Sequence, residues 1–402
     1  MNFPIDPNLW GTLASRYSQS KPRRLLTMDG GGIRGLLTLQ VLLEIEKKLA
    51  QHYYPQDPQK RQDFRLYQFF DYIGGTSTGA IIAAALVLGM SVQEIIEFYE
   101  SFGKVAFTKR KWYERWKSFY ENGELEQKLK SVFGGETALT HDRLKTLLLV
   151  VTRNATTDSA WPMSSNPAAK YNDPNRADCN LKIPLWQIVR ASTAAPVFFP
   201  PERVEWAPND KTKAFVFVDG GTTPYNNPAF LIARMATEPA YKLGWDKGEQ
   251  NLLIVSVGTG TTPSPGLTVD DPETNIAEAA VKTLSNLMYQ AQVEQDINCR
   301  TIGRCSYGPV LDREVGDLII RDPSGQAIPL DQNQGRAFLY TRYDLELTEE
   351  GLKSIGITGL DPKPIQSMDS TKSMDDLVMV GKRLAEKVNL SHFGSFIDQP
   401  LD

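Results

Sequence analysis

Between Arg24 and Met90 one three-part unit occurs twice: a short apolar run, a glycine turn, and an apolar helical stretch. In the first copy RLLTM (Arg24 to Met28) enters DGGGIRG and then LLTLQVLLEIEKKL. There Leu36, Leu39, Val41, Leu42, Leu43, Ile45 and Leu49 supply a wide apolar face at helical spacing. In the second, FFDYIG (Phe69 to Gly74) enters GTSTG and then AIIAAALVLG, followed by SVQEIIEFYESFG from a cap at Ser91. A strand that turns straight into an apolar helix must bury that helix against the sheet, which commits the chain to α/β layering. Further apolar runs, TLLLVVT (Thr146 to Thr152), AFVFV (Ala214 to Val218), NLLIVSV (Asn251 to Val257) and FLYTRYDLEL, predict more strands. The expected fold is therefore α/β, with a mostly parallel central sheet buried on both faces. Helices are predicted over IAEAAVKTLSNLMYQAQVEQDI and SMDDLVMVGKRLAEKV, the second with Ser373 and Asp376 at capping spacing. The polar stretch from Arg153 to Pro184 reads as a loop over the sheet edge.

Composition excludes several classes. The 402 residues, 41% hydrophobic and 23% charged, allow a sizeable core, in two or three domains or one large one. Against 48 acidic side chains stand 44 basic ones, a net charge of -4, so no overall positive field draws nucleic acid or an anionic membrane. Cys179, Cys299 and Cys305 form an odd set without CxxC spacing, which argues against a disulfide framework or a zinc ribbon and suits a reducing cytosol. The three histidines, His52, His141 and His392, lie beside neither a glycine turn nor another metal ligand, so no metal site is expected and each reads as a surface or helix-end imidazole. The N-terminal residues carry no secretory pattern, and the longest apolar run, Ala80 to Met90, is about half of the ~20 residues that span a bilayer.

The two glycine turns carry the chemistry. Gly75-Thr76-Ser77-Thr78-Gly79 is a G-x-S-x-G between a predicted strand and a predicted helix, the setting of a nucleophile elbow. There small residues at Gly75 and Gly79 let neighbouring backbones approach while the strained turn projects the Ser77 hydroxyl. Gly30 to Gly35 also satisfies G-x-G-x-x-G, but a dinucleotide site requires a second strand ending in an acid about 20 residues on, and the chain offers QHYYPQDPQKRQDFRLYQ instead. The other use of such a turn is to present backbone N–H groups to an anion, such as the oxyanion of a tetrahedral intermediate. Arg34 either adds positive charge there or pairs with Asp29. With the histidines badly placed, the best candidate base is Asp219, at a strand end and followed by Gly220 and Gly221, although an Asp-Gly turn is also a common structural element. An unperturbed aspartate near 3.9 is a poor base, so burial must raise it.

Asp29 to Gly35, Gly75 to Gly79 and Asp219-Gly-Gly221, in this order, resemble the patatin-like phospholipases, as do ASTAAP (Ala191 to Pro196), NNP (Asn226 to Pro228) and SVGTG (Ser256 to Gly260). The segment Thr222 to Tyr225 between DGG and NNP is the one departure in length. The resemblance implies a three-layer α/β/α fold and a Ser-Asp dyad acyl hydrolase with Ser77 as nucleophile and Asp219 as base. It implies an oxyanion hole at Gly30, Gly31, Gly32 and Arg34 with Thr78, supported by the motif glycines Gly75, Gly79, Gly220 and Gly221. It implies no cofactor, and membrane glycerolipids as substrates, reached by peripheral contact from a cytoplasmic protein. No nucleic acid is expected as a partner. The scarcity of histidine then becomes intelligible, since such a dyad uses none.

The motifs cover residues 22 to 262, which we read as the catalytic domain, between an N-terminal extension (1 to 21) and a C-terminal extension (263 to 402) packed on it. The segment FTKRKWYERWKSFY places Lys109, Arg110 and Lys111 beside Trp112 and Trp116, as a lipid headgroup contact, a lid, or a helix packed over the site. A different reading makes the protein a nucleotide- or phosphate-binding signalling module, or a phospholipase effector activated by a nucleotide.

Overall fold

The computed structural model describes residues 3–106, 123–140, 142–196, 198–206, 211–263 and 276–401. Among them nine strands share one sheet: β1 (Arg23–Met28), β2 (Tyr72–Thr76), β3 (Leu147–Asn154), β4 (Ser159–Ser164), β5 (Glu202–Glu205), β6 (Ala214–Asp219), β7 (Leu252–Val257), β8 (Arg304–Tyr307) and β9 (Leu339–Tyr343). Their order is β5-β6-β3-β2-β1-β7-β9-β8, with β4 also paired to β3. β3, β2, β1, β7, β9 and β8 run parallel, whereas β4 and β6 are antiparallel to β3.

Successive residues of the parallel strands feed opposite cores, as strand geometry requires. On one face Leu26, Met28, Ile73, Leu148, Val150 and Val255 meet helices Gly35–Tyr53, Thr78–Val87 and Met374–Ala385. On the other, Leu25, Tyr72, Leu149, Leu252 and Ile254 meet helix Ala229–Thr237, the N-terminal Trp10 and Tyr17, and Cys299 of the long helix Ile276–Ile302. These are the three layers expected, and each fully buried Leu, Ile or Val contributes roughly 1.5–3 kcal/mol. Every residue of Thr78–Val87 is buried, because this short alanine-rich helix is enclosed between sheet and outer helices.

The differences from the sequence reading have local causes. FFDYIG does not form one strand: Leu66–Phe69 is a helical turn, closed by the Gln68 side chain accepting the Arg65 N–H at 2.8 Å, and the strand begins at Tyr72. The stretch after Arg153 is not all loop, since β4 folds back on β3 through a turn in which Asn154 Oδ1 accepts the N–H groups of Thr156 and Thr157. Ser91 caps its helix reciprocally with Glu94, as expected. Ser373 does not: its hydroxyl donates to Pro364 O, and Asp375 and Asp376 face the helix start instead. The segment after residue 262 supplies β8 and β9 to the same sheet, and its helix Met374–Ala385 packs so closely on Gly35–Tyr53 that a Cβ at Gly381 would lie 2.9 Å from Leu37 Cα.

Candidate active site

Ser77 directly follows β2 with φ 54° and ψ -119°, a conformation that costs a non-glycine residue of order 1–3 kcal/mol. The turn closes only because its flanks lack side chains: a Cβ at Gly75 would sit 2.0 Å from Gly79 O, and one at Gly79 2.3 Å from Met28 O. Ser77 Oγ donates to Asp219 Oδ2 at 2.6 Å. The other carboxylate oxygen of Asp219 accepts the Gly221 N–H at 2.6 Å, which fixes the plane of the group. Burial raises the Asp219 pKa to about 6, partly offset by the Ser77 and Gly221 hydrogen bonds and by the Arg190 charge.

The route by which Asp219 reaches Ser77 differs from the one anticipated. β6 is not a parallel strand presenting an acid at the common carboxyl end of the sheet. β4 occupies one edge of β3 along Leu149–Asn154, so β2 (to Val151) and β6 (from Thr152) share the other. Running in opposite directions, they end against each other there, with Thr76 opposite Val151 and Asp219 opposite Thr152. Gly220 follows at this junction, where a Cβ would lie 2.2 Å from Val151 O.

The glycine turn Gly30–Gly32 lies beside the serine, a Cβ at Gly30 falling 3.3 Å from Ser77 Cβ. Gly32 requires φ +60°, and any side chain there would meet Met368 O at 2.2 Å. The Gly30 N–H is engaged, donating to Asn226 O at 3.1 Å. The N–H groups of Gly31, Gly32 and Thr78 have no acceptor among the described residues. Tyr99 links two of these positions, bonding both Thr78 Oγ1 and Gly32 O. Arg34 is buried, which lowers its pKa to about 10, and its guanidinium donates to Thr262 Oγ1 at 2.6 Å.

Asp29 is paired with Arg342 rather than Arg34. Nη2 of Arg342, from β9, donates to Asp29 Oδ2 at 2.6 Å, and Gln292 of the long helix adds a second donor at 2.5 Å. Burial nevertheless pushes the Asp29 pKa up, against the lowering effect of the Arg342 charge. Neither Arg342 nor Gln292 figured in the sequence reading, and no local pattern marks them. Ser192 was visible only inside the ASTAAP motif; it accepts the Ser77 N–H at 2.9 Å and donates to Val151 O at 2.6 Å. His392 lies in the first turn of the helical segment Leu390–Asp398, half-buried and stacked on Tyr307, with its pKa lowered to about 4 by burial, so of the surface or helix-end positions expected it takes the second. Lys109, Arg110, Lys111, Trp112 and Trp116 lie outside the described residues, as does His141. Among the described residues no cluster of His, Cys, Asp and Glu is arranged to hold a metal ion, and no helix is long and apolar enough to cross a membrane.

The class the fold defines is an α/β protein with a strained serine at a strand-to-helix turn, bonded to a buried carboxylate and flanked by backbone N–H groups that have no acceptor among the described residues. The family model of the patatin-like phospholipases matches residues 26–233, just over half of the chain, and the chain belongs to that family. It is 29% identical over 291 residues to an intracellular phospholipase A2 of Caenorhabditis elegans, a match covering 70% of this chain and 23% of that protein. It is 28% identical over 253 residues to Patatin-15 of Solanum tuberosum, covering 59% of this chain and 60% of the patatin. The matches thus span less than two thirds of either relative. Among solved structures, VipD from Legionella pneumophila aligns with 94% of this chain and 67% of its own, at 13% identity and a TM-score of 0.36.

Proposed function

We propose that the protein is a lipid acyl hydrolase that cleaves acyl esters of membrane glycerolipids through a Ser77–Asp219 dyad. The observation that carries the reading is the 2.6 Å hydrogen bond from the strained Ser77 hydroxyl to a carboxylate whose pKa is raised to about 6. Family membership supports the choice of lipid esters as the substrate class.

Above pH 6 Asp219 is ionised and positioned to take the Ser77 proton as Oγ attacks the ester carbonyl. A base within about two units of neutrality is effective in both directions: strong enough to accept that proton, weak enough to return it. The negative charge developing on the carbonyl oxygen is received by the free N–H groups of Gly31 and Gly32, with Thr78 N–H at the start of the elbow helix. Of the five residues expected at this hole, Gly30 and Arg34 play supporting parts, since the N–H of the first and the guanidinium of the second are engaged elsewhere. Collapse of the tetrahedral intermediate breaks the ester C–O bond, and Asp219 gives its proton to the departing alcohol. A water molecule, deprotonated by Asp219, then attacks the acyl-enzyme and releases the fatty acid. Peripheral association with a membrane surface follows from such a substrate.

The test is to incubate wild-type protein and Ser77→Ala with mixed lipid extracts and to follow fatty acids by mass spectrometry. Release that depends on Ser77 is expected; equal release, or none, from every glycerolipid would overturn the reading.

A further inference from the structure

We propose that Arg342 is a positioning residue for the Ser77 site: reaching in from β9, its guanidinium clamps the Asp29 carboxylate and so holds the glycine turn Gly30–Gly32 against the nucleophile. The proposal rests on the acyl-transfer reading of that site. Arg342 lies outside the residues that the family model matches, 26–233.

Asp29 and Arg342 are both buried, at 0% and 2% exposure, and the guanidinium meets both carboxylate oxygens, Nη1 at 3.3 Å and Nη2 at 2.6 Å. Its remaining contacts reach the second glycine segment. Nη1 donates to Ser256 Oγ at 2.7 Å and Nη2 to Asp344 Oδ2 at 2.6 Å. Asp344 Oδ1 accepts the Gly260 N–H at 3.0 Å, and between Ser256 and Gly260 the Thr259 hydroxyl donates to Gly30 O at 2.9 Å. Gln292 completes the frame, donating to Asp29 and accepting from Asn226, whose backbone carbonyl holds the Gly30 N–H. One planar cation therefore ties both ends of the turn's restraints, a task that needs several fixed donors and that a lysine ammonium performs poorly.

Stability alone is a weak reason for such a cluster. Buried ion pairs often contribute little net folding energy, because desolvation offsets attraction. Three carboxylates, Asp29, Asp344 and Asp296, crowd this arginine, the last at 3.5 Å from Nε. What the arrangement does provide is a rigid seat for a turn whose N–H groups must not reorient as charge develops.

The experiment uses the full chain as wild type, Arg342→Lys, Arg342→Gln, Asp29→Asn and the Asp29→Asn/Arg342→Gln double variant. Two quantities are measured: hydrogen exchange of segment 29–35 against helix Thr78–Val87, and kcat and KM on a soluble p-nitrophenyl acyl ester. Arg342→Gln is expected to raise exchange in segment 29–35 about tenfold with the helix unchanged. It should lower kcat about 10²-fold, comparable to losing an oxyanion donor, with KM within about threefold. Arg342→Lys should fall between, and the double variant should be no worse than the worse single variant, because both act on one contact. Unchanged exchange in segment 29–35, exchange rising equally throughout, or additive losses would each overturn the clamp. If Gln at 342 prevents folding, the Lys and Asn variants decide it by the same criteria. If wild-type ester turnover proves independent of Ser77, the functional reading fails while the exchange data still decide the clamp.

Discussion

The hydroxyl of Ser192 bridges Ser77 and β3, accepting the Ser77 N–H at 2.9 Å and donating to Val151 O at 2.6 Å. It is fully buried, so it spares two backbone groups from desolvation without a partner. It also fixes the residue whose φ is 54°. We expect Ser192→Ala to lower stability by about 1–3 kcal/mol and esterase kcat about tenfold, measured by urea denaturation and steady-state kinetics. A variant as stable and active as wild type would show the bridge to be dispensable.

The elbow glycines make a steeper prediction. A methyl group at Gly79 would lie 2.3 Å from Met28 O and 2.8 Å from Asp29 O, backbone atoms of the last residue of β1 and of the residue after it. Neither can move without displacing β1. Gly79→Ala should cost about 3 kcal/mol or more, visible as a lowered urea midpoint or insoluble protein.

The pH dependence follows from Asp219. On the proposed dyad, its pKa of about 6 predicts that kcat/KM rises with pH through about 6 and levels above it, because only the carboxylate can accept the serine proton. The stability term has the opposite sense. A folded pKa above the unfolded value near 3.9 means that the folded state binds the proton more tightly, so this group's contribution is most favourable at low pH and is lost between about 4 and 6. Asp219→Asn should therefore abolish turnover yet raise the melting temperature at pH 8, and the gain should vanish at pH 4. A melting difference independent of pH would contradict the assignment.

Glu46 offers a parallel away from the chemistry. Its Oε1 accepts the Val92 N–H at 3.1 Å, and burial raises its pKa to about 7 against the smaller opposing effect of its backbone hydrogen bonds. Glu46→Gln should leave kcat unchanged and stabilise the protein at pH 8 by roughly 1–2 kcal/mol, with the difference shrinking as pH falls from about 7 to about 4.5.

What could be read in advance divides along physical lines. Ser77, its glycine flanks and the apolar helix behind it form one contiguous stretch, so local sterics made the elbow legible. Asp219 was legible as a strand-end acid, but the direction of β6 was not, because a short apolar run carries no sign of which neighbour it will pair with. β4 was missed because SAWPMS alternates too little and contains a proline. The Arg342–Asp29 pair spans 313 residues, and nothing near either end announces it. The capping signal at Ser91 is met within its own four residues, the Ser91 hydroxyl and the Glu94 carboxylate bonding each other's backbone N–H, whereas the Ser373 hydroxyl bonds Pro364 O, which no capping pattern contains.

The abutting ends of β2 and β6 on one edge of β3 have a further consequence. Asp219 and Ser77 are 142 residues apart in the chain, yet their spacing is measured by the step from Val151 to Thr152. Slippage of β6 by one residue would turn Asp219 to the opposite face of the sheet. The intervening chain, by contrast, can lengthen or shorten in its loops without altering that gauge, which leaves the regions around the site free to diverge while Ser77 and Asp219 stay in register.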